Sequence, residues 1–242
     1  MIAITVCVDF DDLLAVTLPR NTPHFEQIVV ITAPHDKRTM RLVENSSALY
    51  YVTDAFYRKG AKFNKGLAIE ETLDNIGATG WLSMLDADIV LPKGFLTESS
   101  AERLDRECLY GARRRMCHDG TIPPEEQWRE YAIAPDGEIP GCLQIFHTEA
   151  SALRTRPRFG TDWTHAGGYD SVFEAKFRPD NTRWLPFEIL HLGQDGVNWC
   201  GRVSPRIDHQ PIRDLDRHAS DMAEMWKLRR QTRSLIHEKL PL

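Results

Sequence analysis

The chain has 242 residues, 42% of them apolar, with a formal net charge of -5 and a pI near 6.0. That length and apolar content suffice for a packed domain and exclude a disordered chain, while the acidic balance excludes a surface built throughout to hold nucleic acid or an anionic membrane. Five cysteines at irregular spacing (Cys7, Cys108, Cys117, Cys142 and Cys200) form no disulfide framework, and no apolar run reaches the length of a membrane span, so free thiols and a reducing cytoplasm are expected.

The apolar, β-branched run at 2–8 lacks a basic flank and runs into Asp9, Asp11 and Asp12, which predicts a first buried strand rather than a signal peptide. A helix is expected over 13–18, cut short by Pro19. Residues 27–32, Gln-Ile-Val-Val-Ile-Thr, predict a second strand closed by Ala33-Pro34, followed by a helix over 36–44 and a third strand over 48–53. Over 64–75, Leu67, Ala68, Ile69 and Leu73 recur at helical spacing, with Gly77 as the stop. Residues 81–85 form the next strand. Strands alternating with helices imply right-handed crossovers and a mostly parallel sheet. The second half is less regular. It predicts a strand over 108–115, a loop or insertion over 121–140, a strand over 141–147 and a polar loop over 160–168. A helix over 169–177, a strand over 184–191 and a long helix over 214–238 complete the pattern. No repeat or linker interrupts it, so one domain over 1–242 is expected.

The sharpest chemical feature is Leu85-Asp86-Ala87-Asp88 at the end of an apolar strand, where open parallel sheets bind their ligands. In an extended segment Asp86 and Asp88 share a side and hold a hard divalent cation, Mg2+ or Mn2+, which completes its shell with substrate phosphate. The plain reading is a strand-end turn in which the acids cap the next segment.

The stretch from Phe63-Asn64-Lys65-Gly66-Leu67 through a helix to Gly80-Trp81-Leu82-Ser83-Met84-Leu85-Asp86-Ala87-Asp88-Ile89-Val90-Leu91-Pro92 resembles the GT-A glycosyltransferases, both family-2-like and β-1,4-galactosyltransferase-like. The resemblance covers most of 1–95 in pattern and is patchy beyond. It implies an α/β fold of GT-A type, with a Rossmann-like sheet flanked by helices. In that frame 1–95 is the nucleotide-sugar half, 96–212 an irregular acceptor half, and 213–242 the C-terminal helix. It further implies that Asp88 is the main metal ligand and that Asp86 contacts the ribose or the metal. Asn64 and Lys65 then face the nucleotide, and Val8, Asp9, Thr32, Ala33 and Asp36 lie in the loops that hold base and ribose. The acid pair usual after the second strand is replaced here by Thr32-Ala33-Pro34-His35-Asp36.

By the same resemblance Asp170, in Gly167-Gly168-Tyr169-Asp170, is the general base that takes the acceptor's proton; a helix N-cap is the equal alternative, and Asp162 and Glu174 are weaker candidates for base. His191 matches a late histidine that serves as a further metal ligand, against the alternative of a satisfied buried histidine. Trp163, Tyr169 and Trp199 are either core or stacking surfaces for a sugar. The run Arg113-Arg114-Arg115 reads as a solvated edge or as a contact for an anionic acceptor such as nucleic acid. Cys108, Cys117 and His118 lack the spacing of a structural zinc site.

The expected function is metal-dependent transfer of a sugar from a UDP-sugar to an acceptor hydroxyl, with inversion. A sugar-phosphate nucleotidyltransferase is the enzymatic alternative, disfavoured because Asp9-Phe10-Asp11-Asp12 stands where a basic, glycine-rich loop is needed. A non-catalytic carbohydrate- or nucleotide-binding module is the other.

Overall fold

The computed structural model describes residues 1–99, 102–118, 120–194 and 196–212; the long helix expected over 214–238 lies outside the described residues. Its strands are β1 (Ile2–Val6), β2 (Gln27–Thr32), β3 (Leu49–Val52), β4 (Trp81–Leu85), β5 (Ile89–Val90), β6 (Leu109–Met116), β7 (Leu143–His147) and β8 (Thr182–His191). Its α-helices are α1 (Asp11–Asn21), α2 (Lys37–Glu44), α3 (Lys65–Ile76), α4 (Phe95–Glu98) and α5 (Tyr169–Glu174).

All eight strands join one sheet in the order β3-β2-β1-β4-β7-β6-β8-β5. The first half is parallel, as the β–α alternation demands. The second half is mixed. β7 enters antiparallel to β4 and β6, β8 runs parallel to β6, and β5 returns antiparallel to β8. Reversing twice through β7 and β6 restores the original direction, so β1, β4, β6 and β8 all point their C-terminal ends to the same edge.

Side-chain alternation along the parallel strands sorts two core layers. Ile4, Val6, Val29, Ile31, Leu82 and Met84 pack with Ile69 and Leu73 of α3 and Phe173 of α5. Ala3, Ile28 and Val30, on the opposite face, pack with Leu14 and Leu18 of α1 and Val43 of α2. Burial on both faces is why these strands read as continuous apolar runs.

Helix termini follow local chemistry. Asp36 caps α2 by accepting the Thr39 N–H at 3.1 Å, and Asn64 caps α3 by accepting the Leu67 N–H at 2.9 Å. Helix α3 ends at Gly77 with φ 60°. Helix α1 departs from expectation: Pro19 lies inside it, and the helix continues to Asn21. Pro19 and Ala15, whose carbonyl loses its helical donor there, are both exposed, so the lost bond falls on the face open to solvent, where its cost is smallest. The extra turn places Asn21, which donates to the Ile89 carbonyl at 2.7 Å and accepts the Leu91 N–H at 3.1 Å. Thr17, one turn earlier, donates to the Ala87 carbonyl at 2.7 Å. Helix α1 thereby fixes the backbone that follows β4.

The chain beyond β8 folds back onto the start of α1. Arg202 and Asp12, each with a side chain 1% exposed, form a bidentate ion pair, and Arg206 pairs with Asp11 at 2.7 and 2.8 Å. Arg202 also donates to the Asp9 carbonyl at 2.9 Å and lies over the Phe10 ring. Among the described residues no helix is long and apolar enough to cross a membrane, and the five cysteines form no disulfide.

Candidate active site

The shared C-terminal edge of β1, β4, β6 and β8 opens into a cavity of about 600 Å³. Val8, Lys65, Asp86, Asp88, Asp170 and His191 all line it. Strand direction explains the gathering: Asp86 and Asp88 follow β4, His191 ends β8, and Lys65 opens α3.

Asp86, Ala87 and Asp88 form a turn closed by the Ile89 N–H on the Asp86 carbonyl at 3.3 Å, not the extended segment expected from sequence. The two carboxylates accordingly take different partners. Asp86 Oδ1 accepts from Lys65 Nζ at 2.5 Å, and Lys65 also lies 4.8 Å from the centroid of the Tyr169 ring. Burial pushes the Lys65 proton affinity down, but the Asp86 carboxylate outweighs it and raises it, so the ammonium stays charged. Asp88 Oδ2 stands 3.1 Å from His191 Nε2. Burial favours the neutral acid at Asp88, yet His191 and Lys65 together hold its carboxyl below the ordinary range.

His191 has a second contact. Its Nδ1 lies 3.3 Å from Arg114 Nη1, and Arg114 is held by Asp136 through bonds of 2.9 and 2.6 Å. A guanidinium only donates, so Nδ1 accepts and the ring proton sits on Nε2, facing Asp88. Gly193 closes the other side: a Cβ there would fall 2.0 Å from Asp88 Oδ2 and 3.2 Å from His191 Nε2.

Asp170 occupies the first turn of α5, whose N-cap is Gly168, so the cap alternative does not hold. Its Oδ2 instead accepts the Gly141 N–H at 3.0 Å, and burial raises its proton affinity above the ordinary carboxylate value while Lys65 opposes the rise. One turn on, Glu174 Oε1 accepts the Ile139 N–H at 3.2 Å. Its Oε2 is buried with no hydrogen-bond partner among the described residues, and burial pushes its carboxyl up to about 7. Together the two acids of α5 pin residues 139–141 as one wall of the cavity. Glu174 itself does not line it, and Asp162 is exposed away from it.

The remaining sequence candidates are placed differently. Thr32, Ala33, Asp36 and Asn64 are buried and are not among the lining residues. The Asp36 carboxylate accepts from the Asp9 N–H at 2.7 Å and from the Thr39 hydroxyl at 2.6 Å. Asn64 spends its amide on the Thr161 carbonyl at 2.8 Å and its oxygen on the α3 cap. Asp36 and Asn64 are thus structural caps, and Asp36 also fixes Asp9 at φ 64°. Asp9 is not a lining residue either; its neighbours Val8 and Phe10 are.

The arginine run is a solvated edge only in part: Arg113 is exposed and Arg115 half-buried, while Arg114 is buried. Arg113 lies over the Trp184 ring at 5.3 Å, Arg114 is buried at the site, and Arg115 pairs with Glu188 at 2.6 Å. Strand alternation sends Arg114 to the opposite face from its neighbours, a period-2 signal legible in the sequence. Nothing in the sequence marked Asp136, inside a proline-rich loop. Of the aromatics, Tyr169 and Trp199 line the cavity, and Trp199 stacks on His165 at 5.9 Å. Cys108, Cys117 and His118 form no metal cluster; among the described residues no group of three or more His, Cys, Asp or Glu side chains does.

No protein-family model matches the chain, and no curated protein matches it. Among solved structures the chain is similar to a mycobacterial protein, with 14% identity over 48% of this chain and 41% of that one, at a TM-score of 0.38. It is similar also to glucosyl-3-phosphoglycerate synthase from Mycobacterium tuberculosis in complex with Mn2+, UDP and glucosyl-3-phosphoglycerate (14% identity, 48% and 44% covered, TM-score 0.37). The complex of that synthase with Mn2+, UDP-glucose and phosphoglyceric acid gives 15% identity, the same coverage and a TM-score of 0.36. This chain therefore spans less than half the length of the proteins it matches.

Proposed function

We propose that the protein is a metal-dependent glycosyltransferase that moves a hexosyl group from a UDP-sugar to an acceptor hydroxyl with inversion. The observation that carries this reading is the convergence of the Lys65–Asp86 pair, the Asp88–His191 pair and Asp170 on one cavity.

Asp88 and His191 suit a divalent cation, Mn2+ or Mg2+. Their oxygen and nitrogen stand 3.1 Å apart, close to the edge of an octahedron with bonds of about 2.1 Å. The bare Gly193 leaves that edge uncrowded. Ligation at Nε2 requires the other neutral tautomer, with the ring proton moved to Nδ1, so the Arg114 guanidinium would have to turn away from Nδ1. When bound, the cation supplies positive charge to the departing diphosphate.

Lys65 binds the diphosphate as a fixed point charge, released to it from Asp86, and Asp86 is then available to the ribose or the cation. Val8 and Phe10 wall the uracil side. Asp170 accepts the proton of the acceptor hydroxyl as that oxygen forms its bond to the anomeric carbon and the bond to the diphosphate oxygen breaks. Its raised proton affinity makes it a better base than an ordinary aspartate.

The test is thermal stability with UDP and GDP, each with and without Mn2+, in the wild type and in Asp88→Ala, followed by UDP-sugar hydrolysis. A rise in Tm that needs UDP and metal together and vanishes in Asp88→Ala supports the reading. No shift with any nucleotide and metal removes it.

A further inference from the structure

Resting on the glycosyl-transfer reading, we propose that the acceptor is an uncharged polyhydroxyl compound, a sugar or neutral glycan, and that acceptors bearing a phosphate or carboxylate beside the reacting hydroxyl are rejected. The cavity's charge carries this inference. Among the described lining residues Lys65 and Arg114 alone carry a Lys or Arg side chain. Arg114 is held by Asp136 at 2.6 Å, and Lys65 is held by Asp86 at 2.5 Å until the donor diphosphate takes it, so neither is left for an acceptor. Asp88, Glu138 and Asp170 also line the cavity and leave it net negative. A UDP-sugar carries two negative charges and a divalent cation two positive ones, so loading the donor does not reverse the imbalance.

The excess lies on the acceptor side. Asp170 marks where the acceptor hydroxyl must sit, and the adjoining Ser171 hydroxyl donates to Glu138 Oε2 at 3.4 Å, which joins a second carboxylate to that wall. Carboxylates there are satisfied by hydroxyl donors, which a sugar supplies in number. An anionic group meets like charge and no uncommitted guanidinium or ammonium among the described lining residues.

The full chain is incubated with Mn2+ and UDP-glucose, UDP-galactose or their N-acetylated counterparts. It is offered neutral mono- and oligosaccharides and, separately, the matching sugar phosphates, with products read by mass spectrometry. UDP release without acceptor reports the donor reaction alone. Transfer to the neutral compound is expected to be faster by at least about tenfold, the effect of one unscreened like charge at several ångströms. Glu138→Lys, at an exposed position, is expected to narrow that gap. Equal or faster transfer to the phosphates overturns the inference, and so does UDP release with no transfer to any neutral sugar. Absence of both UDP release and UDP binding refutes the glycosyl-transfer reading instead. Calorimetric titration with 3-phosphoglycerate needs no turnover and is expected to give no saturable binding; saturable binding overturns the charge argument whatever the donor reaction does.

Discussion

Replacing Glu174 with glutamine isolates a single buried charge. The native side chain gives one oxygen to the Ile139 N–H at 3.2 Å and leaves the other buried with no hydrogen-bond partner among the described residues. Burial, reinforced by Glu138 and Asp170, lifts its carboxyl from 4.5 to about 7. A group whose folded-state proton affinity is raised binds more protons folded than unfolded between those two values, so stability falls as pH rises through that window and is flat above it. A rise of that size corresponds to at most about 3 kcal/mol at pH 8. Partial solvent contact at this side chain reduces it to about 1–2 kcal/mol. Glutamine keeps the oxygen for Ile139 and cannot ionise. Glu174→Gln is therefore expected to be more stable than wild type at pH 8 and equal to it near pH 4.5, by urea unfolding at a series of pH values. A variant less stable than wild type at pH 8, or one that keeps the wild-type slope between pH 5 and 7, refutes the assignment of that slope to Glu174.

Gly193→Ala puts a methyl 2.0 Å from Asp88 Oδ2, which must retreat by about 1 Å; a loss of about 100-fold in metal-dependent UDP-sugar turnover is expected, measured as UDP release, with the chain still folded by circular dichroism. Asp170→Asn is expected to lower transfer by about 10²–10⁴-fold while UDP affinity by calorimetry is unchanged. In the wild type, burial at Asp170 shifts the acidic limb of the kcat/KM profile upward from the ordinary carboxylate value, with activity lost as pH falls through it, and the limb disappears in the variant. Gly66→Ala drives a Cβ to 2.0 Å from the Gly160 carbonyl oxygen, a backbone atom; a destabilisation of about 1–3 kcal/mol is expected by thermal or urea melts, and an unchanged Tm would falsify the close approach.

The parallel half of the sheet was legible because buried strands and capped helices write themselves locally. The β2 run Gln-Ile-Val-Val-Ile-Thr and the β4 run ending at Leu85 match their strands residue for residue. The caps were visible as residues but not as roles: Asp36 and Asn64 stood where a ligand contact and a helix cap demand the same side chains, and hydrogen bonding within the fold decided between them. The mixed half was illegible for another reason. Nothing near β7 says that it inserts between β4 and β6, since that pairing joins segments about sixty residues apart, from Trp81–Leu85 to Leu143–His147. The Arg114–Asp136 bond suffers the same blindness, whereas Arg114's burial was available from strand alternation. Pro19 misled because the cost of a helical proline depends on whether the orphaned carbonyl reaches water, which the sequence does not display.

The Arg202–Asp12 pair joins residues 190 positions apart in a setting that water scarcely reaches. Removing one partner of such a pair strands the other charge, at a cost of about 3–5 kcal/mol. A growing polypeptide carries Asp12 from its first moments but receives Arg202 only near the end. Until then the acid must remain solvated, and the opening turn of α1 with Phe10 cannot settle into its final place. The Phe10 side of the cavity mouth therefore depends on a residue that is synthesised 190 positions after Asp12. A product of premature termination before Arg202 would have to keep Asp12 in water, and with it leave the start of α1 and the Phe10 side of the cavity undocked.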